Sequence, residues 1–255
     1  MRSINAQQKI LYADYEKQGS TRYFDRYQKY LSQFKNRSTL RILDIGGASG
    51  YFAMLLKDYF KAAQVEIYVL DITEYDTWHQ DEFRKEIHFI CDSVENLKSL
   101  FQEDTFDIIF ANRVFHHFIN ATWKKTLLGM ENCMVALRQL LRGDGALLIM
   151  DHFYNGQLWD SSSSFLIYHF TSIRSPLLSK FIKKFGAATA GVGVCFQSQK
   201  MWVNRLQKCG FTIKKIEHAQ CDRLSILKRI GLLCKSVSRN NIIFATPAHK
   251  ANHKQ

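Results

Sequence analysis

The stretch Arg41 to Gly50 reads R-I-L-D-I-G-G-A-S-G, and the fold turns on it. Ile42, Leu43 and Ile45 form an apolar strand, a glycine-rich turn follows, and Tyr51 to Phe60 continues as a helix. Strand, glycine loop and helix in this order open a nucleotide-binding α/β domain. Gly46 and Gly50 permit a tight turn and a close approach of backbone to ligand. The helix start behind them offers unpaired N–H groups. The dinucleotide fingerprint G-x-G-x-x-G is excluded, because counting from Gly46 its second and third glycines fall on Ala48 and Tyr51. Asp44, two residues before the turn, would repel a pyrophosphate and suits a cationic ligand. Taken alone, the pattern also serves an ordinary strand, turn and helix.

Downstream acids sharpen the reading. Val65 to Leu70 is a second strand ending at Asp71, 21 residues beyond Gly50. An acid there can accept both ribose hydroxyls of an adenosine, although a strand-end Asp can also be a plain surface residue. Ile87 to Cys91 is a third strand, followed by Asp92 and Ser93. Ligands of doubly wound sheets lie at the carboxyl ends of strands; the same two residues could instead cap a helix from Val94. Phe106 to Ala111 is a fourth strand leading into Asn112-Arg113-Val114-Phe115-His116-His117-Phe118.

Asp44, Gly46, Ala48 and Gly50 resemble the D-x-G-x-G-x-G loop of class I, Rossmann-like methyltransferases dependent on S-adenosylmethionine (SAM), with Ala48 in place of the middle glycine. The run from Asp107 through His116-His117-Phe118 resembles that family's fourth motif in its small-molecule branch, including the ubiquinone/menaquinone C-methyltransferase type. The order of strands and acids matches from Leu40 to His152. The resemblance implies SAM as cofactor, released as S-adenosylhomocysteine. It implies cofactor contacts from Asp44, Gly46, Gly47, Ala48, Gly50, Asp71, Ile72, Asp92, Ser93, Asn112 and Arg113, with Asp92 on the adenine amino group and Asn112-Arg113 along the methionine portion. It also implies a seven-stranded, mostly parallel sheet with helices on both faces, an N-terminal helical lid and a helical cap insertion. At Arg142-Gly143-Asp144-Gly145 the chain departs from the family's L-x-P-G-G turn: Arg142 replaces Pro and Asp144 a Gly.

One methyltransferase domain, residues 1–255, then divides into a lid (1–37), a SAM-binding core (38–152), a substrate cap (153–197) and a C-terminal part of the sheet (198–247). In the lid, tyrosines and Phe24 recur at three-to-four spacing, which predicts two helices broken near Gly19-Ser20. Trp123 to Leu141 is a long helix. Ala146 to Met150 is strand five, ending at Asp151-His152. In the cap, Ser161 to Ser164 starts one helix. Pro176 opens another, in which Leu177, Leu178, Phe181 and Ile182 alternate with lysines. Gln199 to Gly210 is a helix, Phe211 to Glu217 strand six, and Asn241 to Thr246 strand seven. Residues 219–240 between them read as a second basic amphipathic helix that the plain fold lacks.

The chain has 255 residues and a net charge of +12, unevenly spread. Residues 41–173 carry −7, whereas 174–239 carry +12. Such asymmetry points to an anionic partner or an acidic substrate, or to a solvated basic face. The basic region 174–239 therefore suggests peripheral contact with an anionic membrane or acidic protein. The six cysteines show no C-x-x-C pairing and read as reduced thiols rather than metal ligands. No apolar signal core or membrane span is present, so the chain reads as cytoplasmic.

The expected reaction is methyl transfer to an O or C atom of a small acceptor, lipidic, acidic or carrier-bound. A general base would come from His117, His152 or His169. An RNA or protein methyltransferase is the alternative, although Asn112 to Phe115 lacks the N-P-P-F arrangement of amino-group nucleic-acid methylases. A SAM-fold binding or scaffold protein without catalysis is another.

Overall fold

The computed structural model describes residues 6–61, 63–173, 191, 193–222 and 224–248. Eight strands make one sheet: β1 (Thr39–Ile45), β2 (Gln64–Asp71), β3 (His88–Cys91), β4 (Phe106–Asn112), β5 (Leu141–Gly156), β6 (Phe211–Glu217), β7 (Gln220–Asp222) and β8 (Cys234–Pro247). Their order is β3-β2-β1-β4-β5-β8-β6, with β7 also paired to β8. The first five run parallel, while β8 lies antiparallel to β5, β6 and β7. The sheet thus has one strand more than the seven expected and an antiparallel region at one side.

Both faces are buried, as parallel strands require. Alternation along β1 sends Leu43 and Ile45 to one core and Leu40 and Ile42 to the other. The first core is closed by α4 (Leu97–Leu100), α5 (Trp123–Leu140) and, further along the chain, α7 (Gln199–Lys208). The second is closed by α1 (Ala6–Leu31), α2 (Tyr51–Tyr59) and α3 (Asp81–Arg84). Helix α6 (Ser162–Ser172) follows β5, and the short α8 (Ile226–Gly231) precedes β8.

Three expectations change. Helix α1 runs unbroken through Gly19-Ser20. Burial of Phe24, Tyr27, Tyr30 and Leu31 outweighs the roughly 1 kcal/mol that one helical glycine costs. In place of a long basic helix over 219–240, the structure has β7, six helical residues of α8, and the start of β8 at Cys234. Leu233, which suited a helical stripe, instead leads into Cys234, which pairs with Gly156. Strand β5 also overruns its expected end at Met150, because β8 continues the ladder to Gly156. The cap helix expected from Pro176 and its lysines lies outside the described residues.

The departures at Arg142 and Asp144 are explained together. The Asp107 carboxylate is fully buried and accepts from Arg142 Nη1 at 2.9 Å, Arg37 Nη1 at 2.5 Å and the Arg41 N–H at 2.8 Å. Arg37 Nη2 reaches Asp144 Oδ2 at 2.7 Å. A buried carboxylate needs such partners, and a Pro-Gly-Gly turn would not supply them. Among the described residues, no helix is long and apolar enough to cross a membrane.

Candidate active site

The β1–α2 loop is built to admit something against its backbone. Gly46 has φ +65°, and a Cβ on it would lie 2.6 Å from Val114 Cγ2. A Cβ on Gly47 would lie 2.6 Å from Asp44 Oδ2, so the buried Asp44 carboxyl sits directly under the loop. Ala48 takes φ +45° despite its methyl, and Gly50 heads α2 at φ +84°. Two outward bonds hold this shape: Trp78 Nε1 donates to the Ala48 carbonyl and Thr77 Oγ1 to that of Ser49, both at 2.7 Å.

Asp71 ends β2 beside this loop. Its carboxylate accepts the Ala48 N–H at 3.2 Å and the Thr73 N–H at 3.0 Å. Burial raises its pKa, and the backbone N–H groups of Thr73, Ala48 and Ile72 oppose that rise. A desolvated carboxylate with lone pairs to spare suits hydroxyl donors. Ile72 is 53% exposed, an apolar side chain left open at the same strand end. Asp92 and Ser93 follow β3. Asp92 Oδ1 accepts from the Ser93 N–H at 2.6 Å and Asn96 Nδ2 at 2.8 Å. Ser93 Oγ accepts from the Glu95 N–H, so its hydroxyl serves as a helix cap. A cleft of about 720 Å³ joins Gly46, Asp71, Ile72, Asp92, Ser93 and His117.

At the end of β4, helix α1 crosses the site. Tyr27 Oη donates to Asn112 Oδ1 at 2.6 Å, and Arg113 Nη1 donates to Tyr23 Oη at 2.9 Å. Burial, and next the charge of Asp44, raise the Tyr27 phenol well above its usual range, so it remains a donor. Arg113 has φ +55°, and its Nε is buried without a hydrogen-bond partner among the described residues. Helix α1 is not loose: Arg26 bonds Glu217 Oε1 at 3.1 Å and the Asn240 carbonyl at 2.5 Å, and Lys29 pairs with Glu217.

The histidines separate into different roles. His116 Nδ1 lies 2.8 Å from Asp151 Oδ1, with both side chains almost wholly buried. Burial works to raise the Asp151 carboxyl. The charge and hydrogen bond of His116 and the N–H of His152 outweigh it and hold the group below its usual value. An ionised Asp151 takes the Nδ1–H of His116 and leaves Nε2 as its basic atom. His152 is the reverse case. Its Nδ1 accepts the Asn240 N–H at 3.0 Å, so the neutral ring carries its proton on Nε2 and acts as a donor. Burial lowers His152 to about 4. His117 opens to the cleft, yet burial of its ring, then the neighbouring charge of His116, also lowers it to about 4. His169 is exposed on α6, against Phe165, and does not join this group. Phe196 stacks on both His116 and Tyr154 with ring centroids 4.6 Å apart.

The sequence thus places Asp71, Ile72, Asp92, Ser93, Asn112, Arg113 and the loop at one sheet end, and the structure brings them together there. It missed the pairing of His116, in the short helical turn Phe115–His117 after β4, with Asp151 on β5, 35 residues along the chain. The one signal for it was that each residue follows closely on the last paired residues of β4 and β5, Asn112 and Met150.

The residues present fit SAM. The loop has backbone where side chains would collide, Asp71 offers a desolvated acceptor to a ribose, and the buried Arg113 Nε, without an acceptor among the described residues, suits a carboxylate. The methyltransferase-domain family matches residues 15–216. No curated protein matches the chain. Among solved structures, YcgJ of Bacillus subtilis is 16% identical with a TM-score of 0.54, covering 88% of this chain and all of its own. A SAM-dependent methyltransferase of Methanosarcina mazei is 15% identical with a TM-score of 0.54, covering 86% of this chain and 98% of its own. A proposed sarcosine dimethylglycine methyltransferase of Galdieria sulphuraria is 12% identical with a TM-score of 0.58, covering 89% and 86%. Glycine loop, acids and match together make the chain a member of the methyltransferase-domain family, an enzyme that uses SAM.

Proposed function

We propose that this enzyme methylates an oxygen or carbon atom of a small, ring-bearing or lipidic acceptor, with His116 as the base. The observation that carries this reading is the buried His116–Asp151 bond, just past the point where the parallel pairing of β4 and β5 ends. When bound, SAM supplies an electrophilic methyl group, so the chain's task is alignment and proton removal. Asp71 would hold the ribose hydroxyls, with Ile72 against the adenine and Asp92 at its amino group. Asn112 and Arg113, positioned by Tyr27 and Tyr23, would receive the methionine portion. The loop backbone of Gly46, Gly47, Ala48 and Gly50 would lie along it, with Asp44 beneath. Good alignment alone is worth roughly 7–11 kcal/mol in intramolecular precedents.

His116 replaces the bases expected from sequence. His152 presents an N–H and would hydrogen-bond an acceptor oxygen rather than deprotonate it. His117, lowered to about 4, is a weak base that lines the cofactor cleft. The rings of Phe196 and Tyr154 beside His116 favour a planar or apolar acceptor over an extended polymer. The test uses methyl-labelled SAM with a panel of phenols, quinones, fatty acids and acyl carriers. Label should pass to one class in the wild type and not in His116→Gln, whose SAM affinity should be unchanged. Equal transfer by the variant would refute the base assignment.

A further inference from the structure

Beyond Asp151 the β5–β8 ladder continues past the parallel sheet to Gly156, about 17 Å further at strand rise. At its tip the chain turns twice. One turn carries Leu158, 64% exposed, and Trp159, 56% exposed; the other ends α8, where Ile226 and Ile230 are 73% and 64% exposed. Ile226 and Ile230 are four residues apart and share one helix face.

These exposures are held in place. Leu233, between α8 and β8, adopts φ +43°, a strained conformation for a leucine. Its carbonyl accepts three hydrogen bonds: the Gln157 N–H at 2.8 Å and the hydroxyls of Ser162 and Ser163 at 3.0 Å each. Its own N–H donates to the Ile230 carbonyl at 3.1 Å. One backbone group therefore ties the Leu158-Trp159 turn to the Ile226-Ile230 helix. Four large apolar side chains are presented to solvent by a framework stiff enough to sustain local strain.

The charge around them is mainly basic. Residues 220–239 contain five basic side chains and one acid, Asp222, which is paired with Arg239 at 2.6 Å. Arg229 and Lys235 are exposed, and Asp160, the acid nearest to Trp159 in the chain, is neutralised by Lys200 at 3.0 Å. A tryptophan with aliphatic neighbours in a basic surround matches a lipid interface with anionic headgroups. A protein–protein patch is typically poor in lysine.

We infer that the tip formed by Leu158, Trp159, Ile226 and Ile230, with Arg229 and Lys235, docks this enzyme on anionic lipid bilayers. The surface stands on its own geometry, whatever the acceptor. Being at the carboxyl end of β5, it would bring the His116–Asp151 end of the sheet toward the headgroups.

The test is co-sedimentation of the full chain with phosphatidylcholine vesicles and with vesicles that also contain phosphatidylglycerol. Partitioning should be on the order of tenfold stronger with the anionic lipid and should weaken with salt. Trp159 emission should shift to the blue on binding. The variant Leu158→Ser/Trp159→Ser/Ile226→Ser/Ile230→Ser should lose vesicle binding while keeping wild-type SAM affinity, which reports folding. A second variant, Arg229→Gln/Lys235→Gln, should retain the fold and lose only the preference for anionic lipid. Absence of vesicle binding by the wild type, equal binding by the serine variant, or concentration-dependent dimerisation without vesicle binding would each overturn the proposal.

Discussion

Asp151 Oδ1 receives both His116 Nδ1, at 2.8 Å, and the backbone N–H of His152, at 2.7 Å, so one carboxylate oxygen holds the ring of one histidine and the backbone of another. Asp151→Asn would offer His116 an amide N–H and turn its basic atom away from the acceptor. We expect kcat to fall by about 10²- to 10⁴-fold with SAM affinity retained. Steady-state kinetics on the methylated acceptor, beside SAM calorimetry, checks it; a loss confined to KM would contradict it.

Asp71→Ala should weaken SAM binding by about 1.5–3 kcal/mol for each ribose hydroxyl it would have held. Asp71→Asn, which keeps one acceptor oxygen, should lose less. Calorimetric titration of the three proteins with SAM ranks them directly, and equal affinities would remove Asp71 from the site.

The loop makes two opposed claims about one methyl group. Gly46→Ala forces a Cβ into Val114 at φ +65° and should cost at least about 1 kcal/mol of stability along with SAM affinity. Ala48→Gly relieves an alanine held at φ +45° and should leave stability within about 1 kcal/mol of wild type, on the favourable side. Thermal unfolding with and without SAM separates the two.

Acid should destabilise the fold through His152. Its folded pKa, about 4, is below its ordinary 6.5, so the unfolded chain takes up the proton first as pH falls. Stability is therefore full above about pH 6.5 and is lost between 6.5 and 4. The ring is only half-buried, so solvent screening limits the loss to about 1–2 kcal/mol. Urea midpoints of wild type and His152→Gln at pH 7.5, 6 and 4.5 provide the check: the wild type should fall more steeply. Parallel curves would show that His152 is not held neutral by the fold.

What sequence could and could not reveal follows from range. The glycine loop, Asp71 and Asp92 were legible because each is defined within a few residues of a strand end. His116 and Asp151 were not, because their pairing depends on how the turn after β4 folds beside β5, which no local pattern records. The extra strand was hidden for a related reason. Leu224, Leu227, Ile230 and Leu233 have helical spacing, yet β8 draws the chain from Cys234 onward into a ladder with β5. At Gly19 the local signal was a break, and burial of the following aromatic residues overrode it.

Helix α1 has two attachments far apart on the sheet. Tyr27 and Tyr23 hold Asn112 and Arg113, while Arg26, Lys29 and Tyr30 hold Glu217 on the outer strand β6. A rod fastened at both places is a physical link between them. Where cofactor binding at Asn112 and Arg113 slows amide exchange along β6, thermodynamic reciprocity requires that fraying of that edge weaken the grip on the cofactor by the same factor. The N-terminal helix, expected as a lid, is thus also a tie between the end of β4 and the sheet margin.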